Sequence, residues 1–404
     1  MNDLLVDPSS TADAKFVATQ ILLNDAPAYA SAVVASSGMA NPQALPTSLM
    51  LGMFDTGDVS MRRLMQLRPT SNRSVSPGAV RGQDRASAQQ SGGLAGTAVA
   101  PPVAVSRRNA FGAELYGPSP DTGIRGWARG FGWTGSFDSQ PWAQTSYSSV
   151  IGGAMVGGDV AIGGGGILGA FVGYLPGSVD VTGGLVDESM SLNGVNFGLY
   201  GSWVPDGGSW YLAGSATGAW ASIDRTRTLY IPGAVRTADS SNTAWSASVM
   251  GETGWNTWLG GDSYIDPYVR AAFGYVNQGS YAESGAGSLN LSVGDQEAYA
   301  LQPSVGARYM HGIRAGTSVL TPYVGGAFTA IVPMGDWSVA ATNSFTSLPL
   351  VQVYGDPETQ YGGSVEAGVE LAMPSGFTVF VAFNGMFLND GQVLGGSAGI
   401  VIPF

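Results

Sequence analysis

Val195-Asn196-Phe197-Gly198-Leu199-Tyr200-Gly201-Ser202-Trp203 sorts its side chains into two sets. Val195, Phe197, Leu199 and Trp203 take alternate positions, with Asn196, Gly198 and Ser202 between them. Successive side chains of a strand point to opposite faces, so this is a strand with one apolar face and one small or polar face. The same alternation recurs downstream. Val269, Ala271 and Phe273 oppose Arg270 and Gly274; Val305, Ala307 and Tyr309 oppose Ser304 and Arg308; Val365, Val369 and Leu371 oppose Glu366 and Glu370; and Phe377, Val379, Val381 and Phe383 oppose Thr378 and Asn384.

Working outward from this stretch, the pattern divides the chain after Ile124 into twelve strand segments: 124–137, 145–163, 166–183, 186–204, 209–226, 241–258, 262–283, 288–312, 316–339, 357–372, 376–388 and 392–404. Tight turns follow the even segments, at Gly164-Gly165, Pro205-Asp206-Gly207-Gly208, Leu259-Gly260-Gly261, Gly312-Ile313-Arg314-Ala315 and Met373-Pro374-Ser375. Longer connections follow several odd segments, notably Arg227–Ser240 and Ala340–Gly355.

A soluble β-sandwich also alternates, but three features argue against it. Many segments exceed both the three to ten residues usual for globular strands and the roughly 9–11 that cross a bilayer. Large residues such as Trp203, Phe273, Phe328 and Phe383 stay on the apolar face while charges oppose them. Aromatics gather near strand ends (Trp127, Trp133, Trp142, Trp203, Trp210, Trp255, Trp258, Trp337), as interfacial girdles require. The expected fold is therefore all-β, a twelve-stranded antiparallel transmembrane β-barrel in a bacterial outer membrane. Short turns lie on the periplasmic side of such barrels, which puts both ends of the barrel sequence in the periplasm.

Composition agrees. The 404 residues include 61 Gly, 16 Tyr, 15 Phe and 10 Trp beside only 11% charged residues. No apolar run approaches the roughly 20 residues of a spanning helix. A barrel dilutes apolarity to every second residue, with an inward face that is small and polar. A net charge of −12 and a single Lys, Lys15, argue against a nucleic-acid partner. The chain has no Cys, which removes disulfides and thiolate metal sites and fits an oxidising envelope.

Upstream, residues 1–68 read as helical. Phe16, Ile21, Leu22, Tyr29, Val33 and Val34 fall at near-helical spacing. A second stretch runs from Pro46 through Leu49, Met50, Met53, Phe54, Met61, Leu64, Met65 and Leu67, weakened by Gly52 and Gly57. Arg62, Arg63 and Arg68 stand near its end, where cations favour the helix dipole. Residues 69–123 turn to Ser, Gly, Pro, Gln and Ala and are expected to be a flexible linker. The opening Met1-Asn2-Asp3-Leu4-Leu5 lacks the basic and apolar regions of a signal peptide, so the chain is expected to be part of a longer exported protein.

The terminal run Ser397-Ala398-Gly399-Ile400-Val401-Ile402-Pro403-Phe404 resembles an outer-membrane insertion signal, with Ser397, Gly399, Ile402 and Phe404 in its positions. Pro403 departs from the commonest pattern, although a strand end tolerates the lost donor. The whole C-terminal stretch resembles the autotransporter β-domain family. Trp127-Ala128-Arg129-Gly130-Phe131-Gly132 is similar to that family's opening strand, Gly152–Asp159 to the next segment, Val195–Trp203 to the fourth strand, and Tyr264-Ile265-Asp266-Pro267-Tyr268-Val269 to a later one.

The resemblance implies a barrel whose lumen is threaded by a helix or an extended segment, and through which an upstream passenger reaches the cell surface. The stretch around Met61–Arg68 looks like the family's pre-barrel helix, but more than fifty residues separate it from Trp127. Whether helix, linker or neither fills the lumen stays open at this level. The implied partners are the outer-membrane bilayer, the barrel assembly machinery and the chain's own passenger. A passive porin-like barrel and a loop-mediated adhesin using Arg227–Ser240 and Ala340–Gly355 are the alternatives.

Arg129, Glu252, Arg270, Arg308, Glu366 and Glu370 are the candidates to line the pore, holding a threaded segment or pairing with one another. Enzymatic chemistry, metals and cofactors are not expected. The one histidine, His311, sits beside an expected periplasmic turn without a triad or metal cluster near it in sequence. Gly163–Gly166 lacks the Lys-Ser or Lys-Thr of a phosphate loop. Glu366 and Glu370 lack an opposed acid-base partner, and no Asn-Asn junction for self-cleavage occurs between residues 69 and 124. Deleting Phe404 should sharply reduce the yield of assembled barrel in outer-membrane fractions; an unchanged yield would remove the insertion-signal assignment.

Overall fold

The computed structural model describes residues 44–67, the pair 69–70 with 108–109, and 124–404 except 139–145, 184, 206–208, 232–233, 336, 338, 344–348 and 353–357. Helix α1 spans Ala44–Leu67. Twelve long strands follow: β1 Ile124–Phe137, β2 Ser146–Gly163, β3 Gly166–Gly183, β4 Val186–Trp203, β5 Trp210–Ile231, β6 Ala234–Trp255, β7 Ser263–Gln278, β8 Gln296–His311, β9 Ser318–Met334, β10 Gln360–Ala372, β11 Thr378–Leu388 and β12 Gly391–Pro403. Each pairs antiparallel with its sequence neighbours, and β12 returns to β1, with registers running from Gly391↔Phe137 to Pro403↔Arg125. The ladder is closed, so the barrel presents no free edge in lipid.

Side-chain parity follows the alternation along every wall. On β4, Phe197 and Leu199 are 55% and 61% exposed while Asn196 and Tyr200 are buried. Two rows of outward aromatics bound the apolar belt. Trp203, Trp210, Trp255 and Trp258 form the row at the short-turn end, and the indoles of Trp203 and Trp258 donate to the turn carbonyls of Gly164 and Gly261. Tyr174, Trp220, Trp245, Tyr275 and Tyr299 form the other. On β5 the rows are ten residues apart, from Trp210 to Trp220, which at the usual strand rise and tilt is about 25 Å, the height of an outer-membrane apolar band.

Three of the tryptophans expected in these girdles point elsewhere. Trp127 and Trp133 lie on the inward parity of β1 and are buried in the lumen, and Trp337 is buried among the loops beyond the other mouth. Strand parity outranks nearness to a strand end in deciding which way an indole faces. Trp142 lies outside the described residues.

The turns at the short end use glycine where the chain reverses fastest, with φ of +81° at Gly163 and +78° at Gly165. The turn expected at Gly312–Ala315 moves outward, because Ile313–Ala315 pairs with Ser318–Leu320 and the reversal falls at Gly316, φ +63°. At the opposite end the largest correction concerns Arg227–Ser240. It is not a loop: β5 and β6 run on as 22-residue strands whose register ends at Ile231↔Ala234. Arg225 and Arg227, which look solvent-bound in sequence, are buried against Glu188 and Glu283 from other strands and loops, and so extend the wall. The long connections are 279–295 and 335–359. Tyr281–Ala282, Leu291–Val293, Val339–Asn343 and Pro349–Gln352 within them form a separate four-stranded antiparallel sheet.

The expected first helical stretch, residues 16–34, lies outside the described residues, as does the linker except for Pro69–Thr70 paired with Arg108–Asn109. The lumen also differs from the small, polar interior expected. Its wall from β1 to β4 carries Trp127, Phe131, Trp133, Phe137, Phe171 and Tyr200 facing inward. Glycines on neighbouring strands make room for these rings: a Cβ at Gly157 would lie 2.5 Å from the Trp127 ring, and one at Gly198 would lie 2.5 Å from Phe171. Gly157→Val should therefore destabilise the barrel by about 1–3 kcal/mol, the usual cost of overpacking. The measurement is a lower temperature for loss of heat-modifiable migration in detergent.

Candidate functional site: the barrel lumen

The rings that strand parity turns inward on β1 to β4 pack in one core with a helix. α1 is buried along its length, from Ala44 at 0% to Met65 at 3% exposure, and among the described residues its neighbours are strands. At about 1.5 Å per residue its 24 residues extend about 36 Å, enough to span the apolar belt. Pro46 sits in the first turn, where its missing donor costs nothing. Gly52 and Gly57, which weaken the helix intrinsically, are where the wall comes closest: a Cβ would meet Trp133 at 3.4 Å and Met250 at 3.0 Å, respectively.

Its direction is defined at both ends. Thr47 hydrogen-bonds Tyr147, near the start of β2 at the long-loop mouth. Met65 packs with Tyr264, Met310 and Tyr323 near the short turns. α1 thus enters from the long-loop side and ends on the short-turn side.

The two halves of the lumen hold the helix differently. Leu45, Leu49, Met50, Met53, Met61 and Leu64 belong to one continuous apolar core that draws most of its wall residues from β1 to β5 and fewer from the strands beyond. Asp55, Asp58 and Arg62, three and four residues apart on one helical face, instead meet charge and amide groups. Asn384 donates to Asp55 Oδ1 at 3.2 Å, Arg270 pairs with Asp58, and Arg62 pairs with Asp58 at 2.8 Å. Arg63 points the other way and donates to Asp159 Oδ2 at 2.8 Å. Tyr200 links that carboxylate to Trp127 through its hydroxyl, which donates at 3.3 Å and accepts from the indole at 2.6 Å. Arg62 and Arg63 lie more than a turn inside Leu67, so their role in place is ion pairing with named carboxylates rather than complementing the helix dipole.

Four of the six expected lumen residues meet in one network. Glu252 on β6 accepts from Arg270 Nη2 at 2.6 Å, Arg308 Nη2 at 2.9 Å and Tyr211 at 2.9 Å. Arg308 also donates to Glu366 at 2.6 Å, and its guanidinium stacks 3.7 Å from the Tyr268 ring centroid. Through Arg270 and Asp58 the network reaches the helix. Arg129 stands apart on β1, donating to Ser397 and lying 5.2 Å from the Phe380 ring centroid. Glu370 is buried on β10, nearer the short-turn end. Asp266, Asp159, Tyr211 and the helical Asp55 and Asp58 join the lumen without being among the residues the sequence marks for it. The signal available was parity, since Asp159, Tyr211 and Asp266 all occupy inward positions of strands already recognised.

Between the polar face of α1 and β7 to β12 lies a cavity of about 100 Å³, lined among others by Asp55, Asp58, Gln302, Ser304, Thr329 and Asn384. This is room for a few waters and is polar enough to hold them. At the seam, Ser397 faces inward, while Ile402 and Phe404 are 40% and 80% exposed on the outer face. The Phe404 amide donates to the Ile124 carbonyl at 3.0 Å. His311 lies at the short-turn end with its Nδ1 2.9 Å from the Ser263 hydroxyl. Among the described residues no group of three or more His, Cys, Asp or Glu is placed to hold a metal ion.

A closed twelve-stranded outer-membrane barrel threaded by a helix from its own N-terminal side defines a class of translocator barrels. The chain belongs to the autotransporter family: the Autotransporter beta-domain model matches residues 126–384, more than half of the sequence. The fold is similar to the translocator domain of the autotransporter NalP from Neisseria meningitidis, at 15% identity and TM-score 0.54, covering 71% of this chain and 90% of that one. It is also similar to the beta domain of the Bordetella autotransporter BrkA, at 18% identity and TM-score 0.50, covering 70% of this chain and all of that one. No curated protein sequence matches the chain.

Removing the Glu252 carboxylate takes the central acceptor from the network, leaving Asp58 to pair with Arg270 and Glu366 with Arg308. Glu252→Ala leaves Arg270 and Arg308 without their shared acceptor and should cost about 3 kcal/mol, whereas Glu252→Gln, which keeps an acceptor oxygen for them, should cost less. Thermal unfolding of the detergent-solubilised barrel distinguishes the two.

Proposed function

We infer that this barrel exports the polypeptide N-terminal to α1, anchors it at the cell surface, and is afterwards plugged by α1. The observation that carries this reading is the helix running the length of the lumen, with Ala44 at the long-loop mouth and Leu67 at the short-turn mouth. A chain exported through the pore with its C-terminal end still joined to β1 would come to rest with this polarity. Glu252, Arg270, Arg308 and Glu366 serve as the polar half of the seat for the threaded segment, and Arg129 and Glu370 line the remaining wall. Catalysis has no part in this function. The terminal Ser397, Gly399, Ile402 and Phe404 are proposed as the strand that the barrel assembly machinery recognises.

Planar-bilayer conductance tests the plug. The full chain should show a small conductance, limited to the polar cavity beside α1, and deletion of residues 1–67 should raise it several-fold. Equal conductances would overturn the plug. An epitope placed at the N-terminus should be accessible to antibody on intact cells; a tag reachable only after permeabilisation would overturn the export reading while leaving the plug untouched.

A further inference from the structure

Beyond the lumen, the outer surface of the tallest part of the wall has a composition that pore function does not require. Above the upper aromatic row, outward positions of β2 to β6 and of the loop after β7 form a cross-strand ladder: Ser148, Asp180, Ser189, Thr226, Asp239 and Ser284 lie opposite one another in turn. The parallel row below it reads Ser178, Ser191, Asp224 and Ser241. From β3 onward every position in both rows is Ser, Thr or Asp; on β2 the upper row carries Ser148 and the lower row ends at the exposed Val150, opposite Ser178. Hydrogen bonds along the ladder hold its carboxylates in place, from Ser189 to Asp180 at 2.7 Å and from Thr226 to Asp239 at 2.8 Å. A cleft of about 580 Å³ opens over this face, bounded by Ser189, Asp224, Thr226, Asp239, Ser241 and Ser284.

The height of this face relative to the membrane follows from the strands. Thr226 lies six residues above Trp220 on β5, about 15 Å beyond the aromatic row at the usual rise and tilt. In an outer membrane that level is occupied by the sugar headgroups of the outer-leaflet glycolipid, so the face looks sideways into a layer of carbohydrate. A surface built for the glycolipid's phosphates would carry exposed Arg or Lys; neither ladder has one, and Arg225, which also borders the cleft, is buried and ion-paired with Glu188. Hydroxyls that both donate and accept, next to fixed carboxylate acceptors, match sugar hydroxyls instead.

We propose that the Ser/Thr/Asp face of β2 to β6 is a docking surface for the carbohydrate headgroups of the surrounding outer-leaflet glycolipid. It holds the extended β4 to β6 wall upright by direct hydrogen bonds to sugar hydroxyls. The ladder residues are exposed and lie outside the apolar belt, so they can be changed without touching the lumen.

The test compares the full chain in vesicles of phosphatidylethanolamine and phosphatidylglycerol with and without purified lipopolysaccharide, reading the temperature at which heat-modifiable migration is lost. Lipopolysaccharide should raise this temperature for the wild type, with EDTA present. The quadruple variant Asp180→Ala, Ser189→Ala, Thr226→Ala, Asp239→Ala should keep the wild-type value in phospholipid alone and gain less than half the wild-type rise. The milder pair Asp180→Asn, Asp239→Asn serves if the quadruple variant assembles poorly, and should also lose part of the rise. An equal rise in wild type and variant overturns the proposal. A wild-type rise that disappears in EDTA also overturns it, because the contact would then be a divalent cation bridging carboxylate to phosphate.

Discussion

The closed backbone ladder is the constraint on which everything else in this molecule depends. In lipid an unpaired N–H or C=O has no water to turn to, and the register from Gly391↔Phe137 to Pro403↔Arg125 brings the last strand back to the first. The ladder extends to the final residue, whose amide meets the carbonyl of Ile124. Closure also sets the parity of every strand, and with it which residues meet lipid and which meet the lumen. Placing Trp127 inward and Phe404 outward are both consequences of that one ladder.

A closed ring of twelve strands leaves an interior too wide for wall side chains alone, and α1 fills it in two chemically different ways. Toward β1 to β5 it forms an ordinary apolar core, with glycines on the wall giving space to aromatic rings. Toward β7 to β11 it meets Arg270 and Asn384 through Asp58 and Asp55. Glu252 is the centre of that polar half, because it accepts from Arg270, Arg308 and Tyr211 together. The apolar half gives the helix its burial; the polar half sets its rotation and depth, since ion pairs are directional where apolar contacts are not.

The twelve strands were legible in sequence because a period of two is a local property, and most segment limits fall within a few residues of the strands. The exceptions have non-local causes. Arg227–Ser240 reads as a polar loop until Glu188 and Glu283, from β4 and the loop after β7, are brought against Arg225 and Arg227. Trp127 and Trp133 read as interfacial until the helix residues opposite them are known. Of the lumen residues, the wall charges could be picked out as lone charges on small-residue faces. Asp55 and Asp58 could not, because nothing in a helical stretch announces which wall it will lie against.

By itself, then, the amino-acid sequence determined the barrel, its strand number, its membrane and its family resemblance, all of which rest on alternation, turn residues and composition within short windows. The tertiary structure alone decided that α1 occupies the lumen, in which direction it runs, and which carboxylates hold it. Those depend on residues brought together across more than two hundred positions, as Asp58 and Arg270 are. Such pairings arise only once closure has placed every strand around the helix.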